Sequence, residues 1–232
     1  MLKLLLTCEH GGNRIPEKYT SLFLGKEDLL NSHQGWDPGA LDLYFELEDL
    51  ADESIYAETS RLLVELNRSL HHPKLFSVAT KPLPIQEKAS IIQHYYQPYR
   101  QQVEEMVDRL LAAGNQVLHL SVHSFTPVLD GEERNADIGL LFDPVRKQEQ
   151  LFCKQWKQQL KHLANELRVR FNYPYQGKAD GLTTYLRKKY SPVKYSGIEL
   201  EVNQKFPLGH DQDWKQLKQT IKTSLAALLK NK

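Results

Sequence analysis

The chain begins with an apolar run, Leu2–Thr7, interrupted by Lys3, that turns polar at Cys8-Glu9-His10 and then meets two glycines. A short, near-continuous run of this kind predicts a strand buried on both faces of a sheet. The pattern recurs at Val117–Val122, which ends in His123, and at Asp137–Phe142. It recurs again at Ser196–Val202, where strand alternation puts Ile198, Leu200 and Val202 on one face and Glu199 and Glu201 on the other. Ser54–Glu58, Leu62–Leu66 and Val169–Tyr173 read as shorter strands, and Pro73–Pro84 as loop. Helical spacing marks Leu41–Leu50, with Asp37-Pro38 as its cap and first turn. It also marks Gln86–Ala113, closed by Gly114-Asn115 and kinked or divided at Pro98. Lys147–Leu167, Leu182–Tyr190 and Trp214–Leu229 complete the helices. Strands alternating with helices predict an α/β sandwich with a mainly parallel central sheet. No repeat or linker divides the chain, so a single domain over residues 1–232 is expected.

Composition narrows the partners. Thirty basic and 29 acidic residues leave a net charge of +1, which gives no electrostatic reason to expect nucleic acid or membrane binding. The two cysteines, Cys8 and Cys153, form no CxxC pair, so neither a disulfide framework nor a thiolate zinc site is indicated, and a cytoplasmic location is expected. The N-terminal apolar stretch, about five residues, is shorter than the roughly 7–15 of a signal sequence. No run approaches the ~18 residues of a membrane span. Composition leaves the oligomeric state open.

Ligands of open α/β sheets bind beyond the carboxyl ends of the strands. Three of the strands here deliver Glu9-His10, His123-Ser124 and Glu199 near such ends. A strand terminus is a rigid base from which to present a ligand. Two imidazoles and one carboxylate, with a fourth position open, make a catalytic zinc site, and His10 and His123 either form one or merely cap their strands. Asp37 is the leading third ligand or a helix N-cap, two roles that are compatible. His119 lies within a strand and reads as core, whereas His33, His71, His72, His94 and His162 read as solvated. Arg61, Asn67 and Arg68 suit an anionic substrate as well as they suit surface salt bridges. Arg134, just before the third strong strand, either reaches the pocket or lies in a surface loop. Ser124 lacks the GxSxG surroundings of a nucleophile. Glu199 and Glu201 are either solvated or enclosed in a cleft, where one would be raised in pKa and act as general base.

The blocks CEHGGNRIP, WDPGALDL, SRLLVELNRS, HSFTP, RNADIGLLFD, NYPYQGKADGLTTYLR and GIELEVNQ, in this order over residues 8 to 204, resemble those of the N-formylglutamate amidohydrolase family. The family is similar in fold to zinc carboxypeptidases and aspartoacylase-type deacylases. The resemblance implies a three-layer α/β sandwich whose mixed, mainly parallel central sheet is flanked by helices, with one catalytic zinc ion (or another divalent metal). It implies that His10 and His123 hold the metal, that Asn67-Arg68 binds a substrate carboxylate, and that Glu199 activates the attacking water. Arg68 or Arg134 would stabilise the oxyanion or grip a substrate carboxylate. The expected reaction is cleavage of the amide of an anionic N-acyl amino acid. The alternative is a non-catalytic protein that binds an acidic metabolite or peptide on the same scaffold. One position departs from the peptidase relatives. Their metal-binding glutamate three residues after the first histidine is Asn13 here, so the third ligand is expected to be Asp37, or failing that Glu9. Gly11-Gly12 is expected to let the backbone turn tightly beside the ion.

Overall fold

A computed structural model describes residues 1–230. Its strands are β1 (Leu2–Cys8), β2 (Glu53–Tyr56), β3 (Gln116–Phe125), β4 (Val128–Leu129), β5 (Glu132–Glu133), β6 (Ile138–Leu141), β7 (Val169–Phe171) and β8 (Tyr195–Asn203). Its α-helices are α1 (Glu27–Asn31), α2 (Ala40–Leu47), α3 (Ile85–Ile91), α4 (Gln97–Ala112), α5 (Lys147–Leu163), α6 (Leu182–Lys189) and α7 (Asp211–Lys230). Six strands form one sheet in the order β2-β1-β3-β8-β6-β7, and β4 pairs with β5 in a separate hairpin. Only the β6–β8 pairing in the large sheet is antiparallel.

Strand alternation explains the layers. Leu4, Leu6 and Cys8 of β1 face α2, α5 and α7, where Leu43, Trp156 and Ile221 are fully buried. Leu5 faces the opposite way, against Ile91 of α3, Val103 and Val107 of α4, and Leu186 of α6. The fold is thus the mixed, mostly parallel α/β sandwich that the pattern and the resemblance imply. Among the described residues no helix is long and apolar enough to cross a membrane.

Several elements differ from the sequence reading. Leu62–Leu66 is not a strand but a buried turn. Its bonds go to turns and loops: the Leu63 amide to the Ser60 carbonyl at 2.9 Å, and the Glu65 amide to the Leu75 carbonyl at 2.9 Å. The apolar side chains are buried all the same, against α3 and α4, which is why the run looks like a strand. The long helix is divided ahead of Pro98 by a π-helical turn, Ile92–Tyr96. That wider turn takes up the hydrogen bond and ring clash that proline imposes. The helix starting at Lys147 ends at Leu163, short of Leu167. The short α1 and a 3₁₀ segment, Glu17–Phe23, carry no strong periodic signal.

Asp137 ties the starts of β6 and β7 to the end of β8. Its carboxylate accepts bonds from the Arg168 amide at 2.7 Å and from Lys205 Nζ at 2.5 Å. Burial alone pushes this carboxyl up, but Arg168 and Lys205 outweigh it and hold it below the ordinary value. A depressed carboxyl stabilises the fold above its unfolded pKa of about 3.9, and the contribution is lost as pH falls through the folded value. Both cations are largely exposed, so Asp137→Asn is expected to cost only about 1 kcal/mol. That corresponds to about 2–4 °C in Tm at pH 7. Thermal melts of the two proteins should converge as the pH is lowered below about 4.

Candidate active site

The chain leaves β1 for the connection to β2 on one side of the sheet and returns from β2 to β3 on the other. A crevice opens at such a switch in strand order. A cavity of about 550 Å³ lies there. In the parallel β1–β3 register Thr7 lies beside Ser121. Two residues further on, Glu9 therefore stands level with His123. The next residue, His10, comes in from the turn after β1. Its carbonyl accepts the Asp37 amide at 3.0 Å, which ties the WDPG segment to the strand end. Asp37 does not cap α2. Gly39 takes that position, at φ +81°, where a Cβ would collide with Pro207. The Asp37 side chain is thereby left to face the cavity. Gly11 and Gly12 are required by close packing rather than by an unusual turn, since a Cβ on either would meet the Ala57 or Glu58 carbonyl within 3 Å.

His10, Asp37 and His123 are all buried, and one donor atom from each lies within 4.8 Å of the other two. His10 Nδ1 is 3.2 Å from both Asp37 Oδ2 and His123 Nδ1, and His123 Nδ1 is 2.9 Å from Asp37 Oδ2. The far side of each ring assigns its tautomer. His10 Nε2 meets Glu65 Oε1. His123 Nε2 meets Ser121 Oγ at 2.8 Å and Glu9 Oε2 at 3.1 Å, while Ser121 Oγ itself donates to Glu9 at 2.5 Å. Both Nε2 atoms therefore carry the proton and donate it, which leaves both Nδ1 atoms as bare acceptors. In that tautomer two imidazole lone pairs and a carboxylate oxygen converge on one point. Such a set repels itself unless a metal ion or a proton sits in it. It also has the ligand types zinc prefers, each histidine backed by a carboxylate.

The electrostatics agree. Burial opposes charge at all these groups, yet the contacts with His10, His123 and Arg61 outweigh it and hold Asp37 far below the usual carboxylate range. Glu65 is held down likewise, chiefly by Arg61 and His10, and Glu9 by His123. Burial also pulls His123 down, but Asp37 and Glu9 prevail and push it well above the ordinary imidazole value, so until a metal ion displaces it a proton on His123 Nδ1 supplies the positive charge between the ligands. The cluster is built to hold positive charge. Replacing either supporting carboxylate, Glu9→Gln or Glu65→Gln, should weaken metal binding about 10–100-fold, measured by competition with a chelating dye.

The remaining expected site residues fall into three groups. Asn67, Arg68, Arg61 and Glu199 line the cavity. Arg61 donates to Asp37 Oδ1 at 3.0 Å and to Glu65 Oε2 at 2.7 Å, so it braces the cluster as well as facing the cavity. Asn67 Oδ1 accepts the Leu182 amide at 2.7 Å, and Arg68 donates to the Asp180 carbonyl. Glu199 Oε1 accepts from Thr183 at 2.7 Å. Glu201, its neighbour on the same strand face, stands beside His123 in the β3–β8 register. Glu201 also lines the cavity, and its buried Oε2 has no partner. Burial, aided by Asp37 and Glu199 and opposed by His123, pushes Glu201 up to about 8, so it holds its proton at neutral pH until the positive charge of a bound metal ion favours its carboxylate form. Arg134 is buried and does not reach the cavity; its guanidinium donates to the hydroxyl of Tyr175, which does. Asn13 points away, donating to the Leu30 carbonyl at 3.2 Å and Asn31 Oδ1 at 2.9 Å.

Glu65 and Tyr175 were not assigned roles from sequence. Glu65 carries a usable signal. A lone carboxylate inside the apolar run Leu62–Leu66 must be paired if buried. Tyr175 carries none, because only the fold turns it towards β3 and β8.

The α/β sandwich is shared with solved structures. A gene product of Agrobacterium tumefaciens (Atu2144) superposes with a TM-score of 0.78 and 29% identity, over 97% of this chain and 91% of that one. N-formylglutamate amidohydrolase from Ralstonia eutropha JMP134 superposes with a TM-score of 0.73 and 16% identity, over 99% and 93%. The search of curated proteins found no match. Sheet order and helical layers define a mixed, mostly parallel α/β sandwich shared with both structures. The N-formylglutamate amidohydrolase family model matches residues 2–206, and the chain belongs to that family.

Proposed function

We propose that the protein hydrolyses the amide of a small N-acyl amino acid bearing a carboxylate, of the N-formylglutamate type, with a divalent metal ion, zinc by its donor set, held by His10 Nδ1, His123 Nδ1 and Asp37 Oδ2. The observation that carries the reading is the convergence of these three bare acceptors on the cavity floor. When bound, such an ion acidifies water and polarises an amide carbonyl. Asp37 replaces the ligand that Asn13 does not supply.

The chain's own groups do the rest. Glu201, which lines the cavity and whose Oε2 has no protein partner, takes a proton from the attacking water as oxygen bonds to the amide carbon. It then delivers that proton to the nitrogen as the C–N bond breaks, releasing formate and a free amino group. Glu199 holds the α6 start through Thr183, which leaves it less free than Glu201 for this task. Arg68 and Asn67 line the wall where a substrate carboxylate would lie, and the cavity of about 550 Å³ suits a small molecule. Two cysteines without a disulfide motif suit a cytoplasmic location.

The test is a panel of N-formyl- and N-acetyl-amino acids, acidic and neutral, offered to metal-loaded protein, with released amine as the readout. Hydrolysis of N-formyl-L-glutamate above the neutral analogues is expected. Absence of hydrolysis across the panel, with about one ion bound per chain, would overturn the reading.

A further inference from the structure

Arg134 and Tyr175 form a pair that the metal cluster does not use. Tyr175 follows β7 in the segment Asn172–Gly177, which β6 grips tightly. A Cβ at Gly139 would lie 2.0 Å from the Tyr173 carbonyl oxygen, and one at Gly177 would lie 2.2 Å from the Phe142 amide. Asn172 Oδ1 accepts both the Phe142 and Gly177 amides, at 3.0 and 3.1 Å. Glycines at both contacts let the segment seat against the strand, so the ring it presents is held in place rather than swinging on a loop. That ring is 45% exposed and lines the cavity that holds His10, Asp37, His123 and Glu201.

Behind the ring lies Arg134, only 8% exposed. Its Nη1 donates to the Tyr175 hydroxyl at 3.0 Å, and its guanidinium carbon lies 5.0 Å from the ring centroid. The hydroxyl oxygen thus accepts a charge-assisted bond from the protein side, and among the described residues nothing accepts the hydroxyl's own proton. An O–H held in this way is a polarised donor, free to turn to a substrate, on a residue that lines the cavity. Burial, with Glu201 adding, raises this phenol above its ordinary value while Arg134 opposes, so the proton stays on at neutral pH.

We infer that Tyr175 is a catalytic residue that donates a hydrogen bond to the amide carbonyl oxygen as negative charge develops on it, and that Arg134 is the positioning residue that orients and polarises this hydroxyl. The inference rests on the amide-hydrolysis reading. It replaces a direct role for Arg134 at the oxyanion with one exerted through the phenol.

The experiment compares wild type, Tyr175→Phe, Arg134→Gln, Arg134→Lys and the Tyr175→Phe/Arg134→Gln double variant, metal-loaded, on N-formyl-L-glutamate. Loss of one oxyanion donor lowers kcat about 10²–10³-fold, and KM should move much less. Arg134→Gln should fall towards the same level, Arg134→Lys should recover part of the rate, and the double variant should be no slower than Tyr175→Phe alone. A readout independent of turnover is the ultraviolet titration of Tyr175, taken as the difference from Tyr175→Phe. Arg134→Gln should move it to higher pH. A wild type that hydrolyses nothing overturns the functional reading and the catalytic role together. A hydrolysing wild type whose Tyr175→Phe variant keeps kcat within about threefold overturns the inference alone. An unmoved Tyr175 titration in a folded Arg134→Gln protein overturns the role of Arg134.

Discussion

Glu201→Gln is expected to lower kcat about 10²–10⁴-fold, the contribution of a positioned general base, while leaving the bound metal and the fold unchanged. The substitution keeps the side chain's shape and removes only its capacity to take a proton. The carboxyl is buried, and its Oε2 has no protein partner to lose. No structural penalty is therefore expected, and a melt should match wild type within about 0.5 kcal/mol. Glu199→Gln makes the contrast. Its Oε1 accepts from Thr183, a bond an amide oxygen can also accept, so the variant should lose far less activity. The outcome decides which of two carboxylates on one strand face moves the proton. If Glu199→Gln were the inactive variant and Glu201→Gln the active one, the assignment would be reversed.

The second large effect is expected at the metal ligands. Asp37→Ala and His123→Ala each remove one of the three converging acceptors, and activity should fall to background. Metal affinity should fall by more than the 10–100-fold expected for a supporting partner. Stripping wild type with a chelator should do the same reversibly and lower Tm, because an ion that binds only the folded chain stabilises it by mass action. At a thousandfold excess over Kd that amounts to about 4 kcal/mol. The cause is visible in the cluster. His10 Nδ1, His123 Nδ1 and Asp37 Oδ2 crowd within 3.2 Å, an arrangement that a metal ion at their centre would hold together. Asp37→Ala binds the ion weakly and gains little stability from it. It should therefore be destabilised less by metal removal than wild type, which a paired set of melts with and without chelator would register.

Much of this site was legible before any coordinates. His10 and His123 stood out because apolar runs ended on them, and a run buried on both faces fixes where its end must lie. Asp37 was visible as a carboxylate beside a helix start but not separable from a cap, since the choice depends on Gly39 taking the cap position at positive φ. The partners of Glu9 and Glu65 were not legible, because they are 114 and 55 residues away and are supplied only by packing. Leu62–Leu66 shows the limit of apolar runs as strand signals. Burial is recorded in the residue types, but the direction of the backbone bonds is not. Arg134 shows a similar limit. A cation before a strand pointed to the pocket, but the fold interposes Tyr175 between them. For Glu199 and Glu201, alternation put both on one face, and only the β3–β8 register set Glu201 beside His123.

The measurement closest to the central claim is an anomalous difference map at the zinc edge from crystals of the purified, zinc-loaded protein. The account predicts a single strong peak about 2.0–2.2 Å from His10 Nδ1, His123 Nδ1 and Asp37 Oδ2. No peak at this cluster, or one coordinated by other residues, in protein that still hydrolyses its substrate would contradict it.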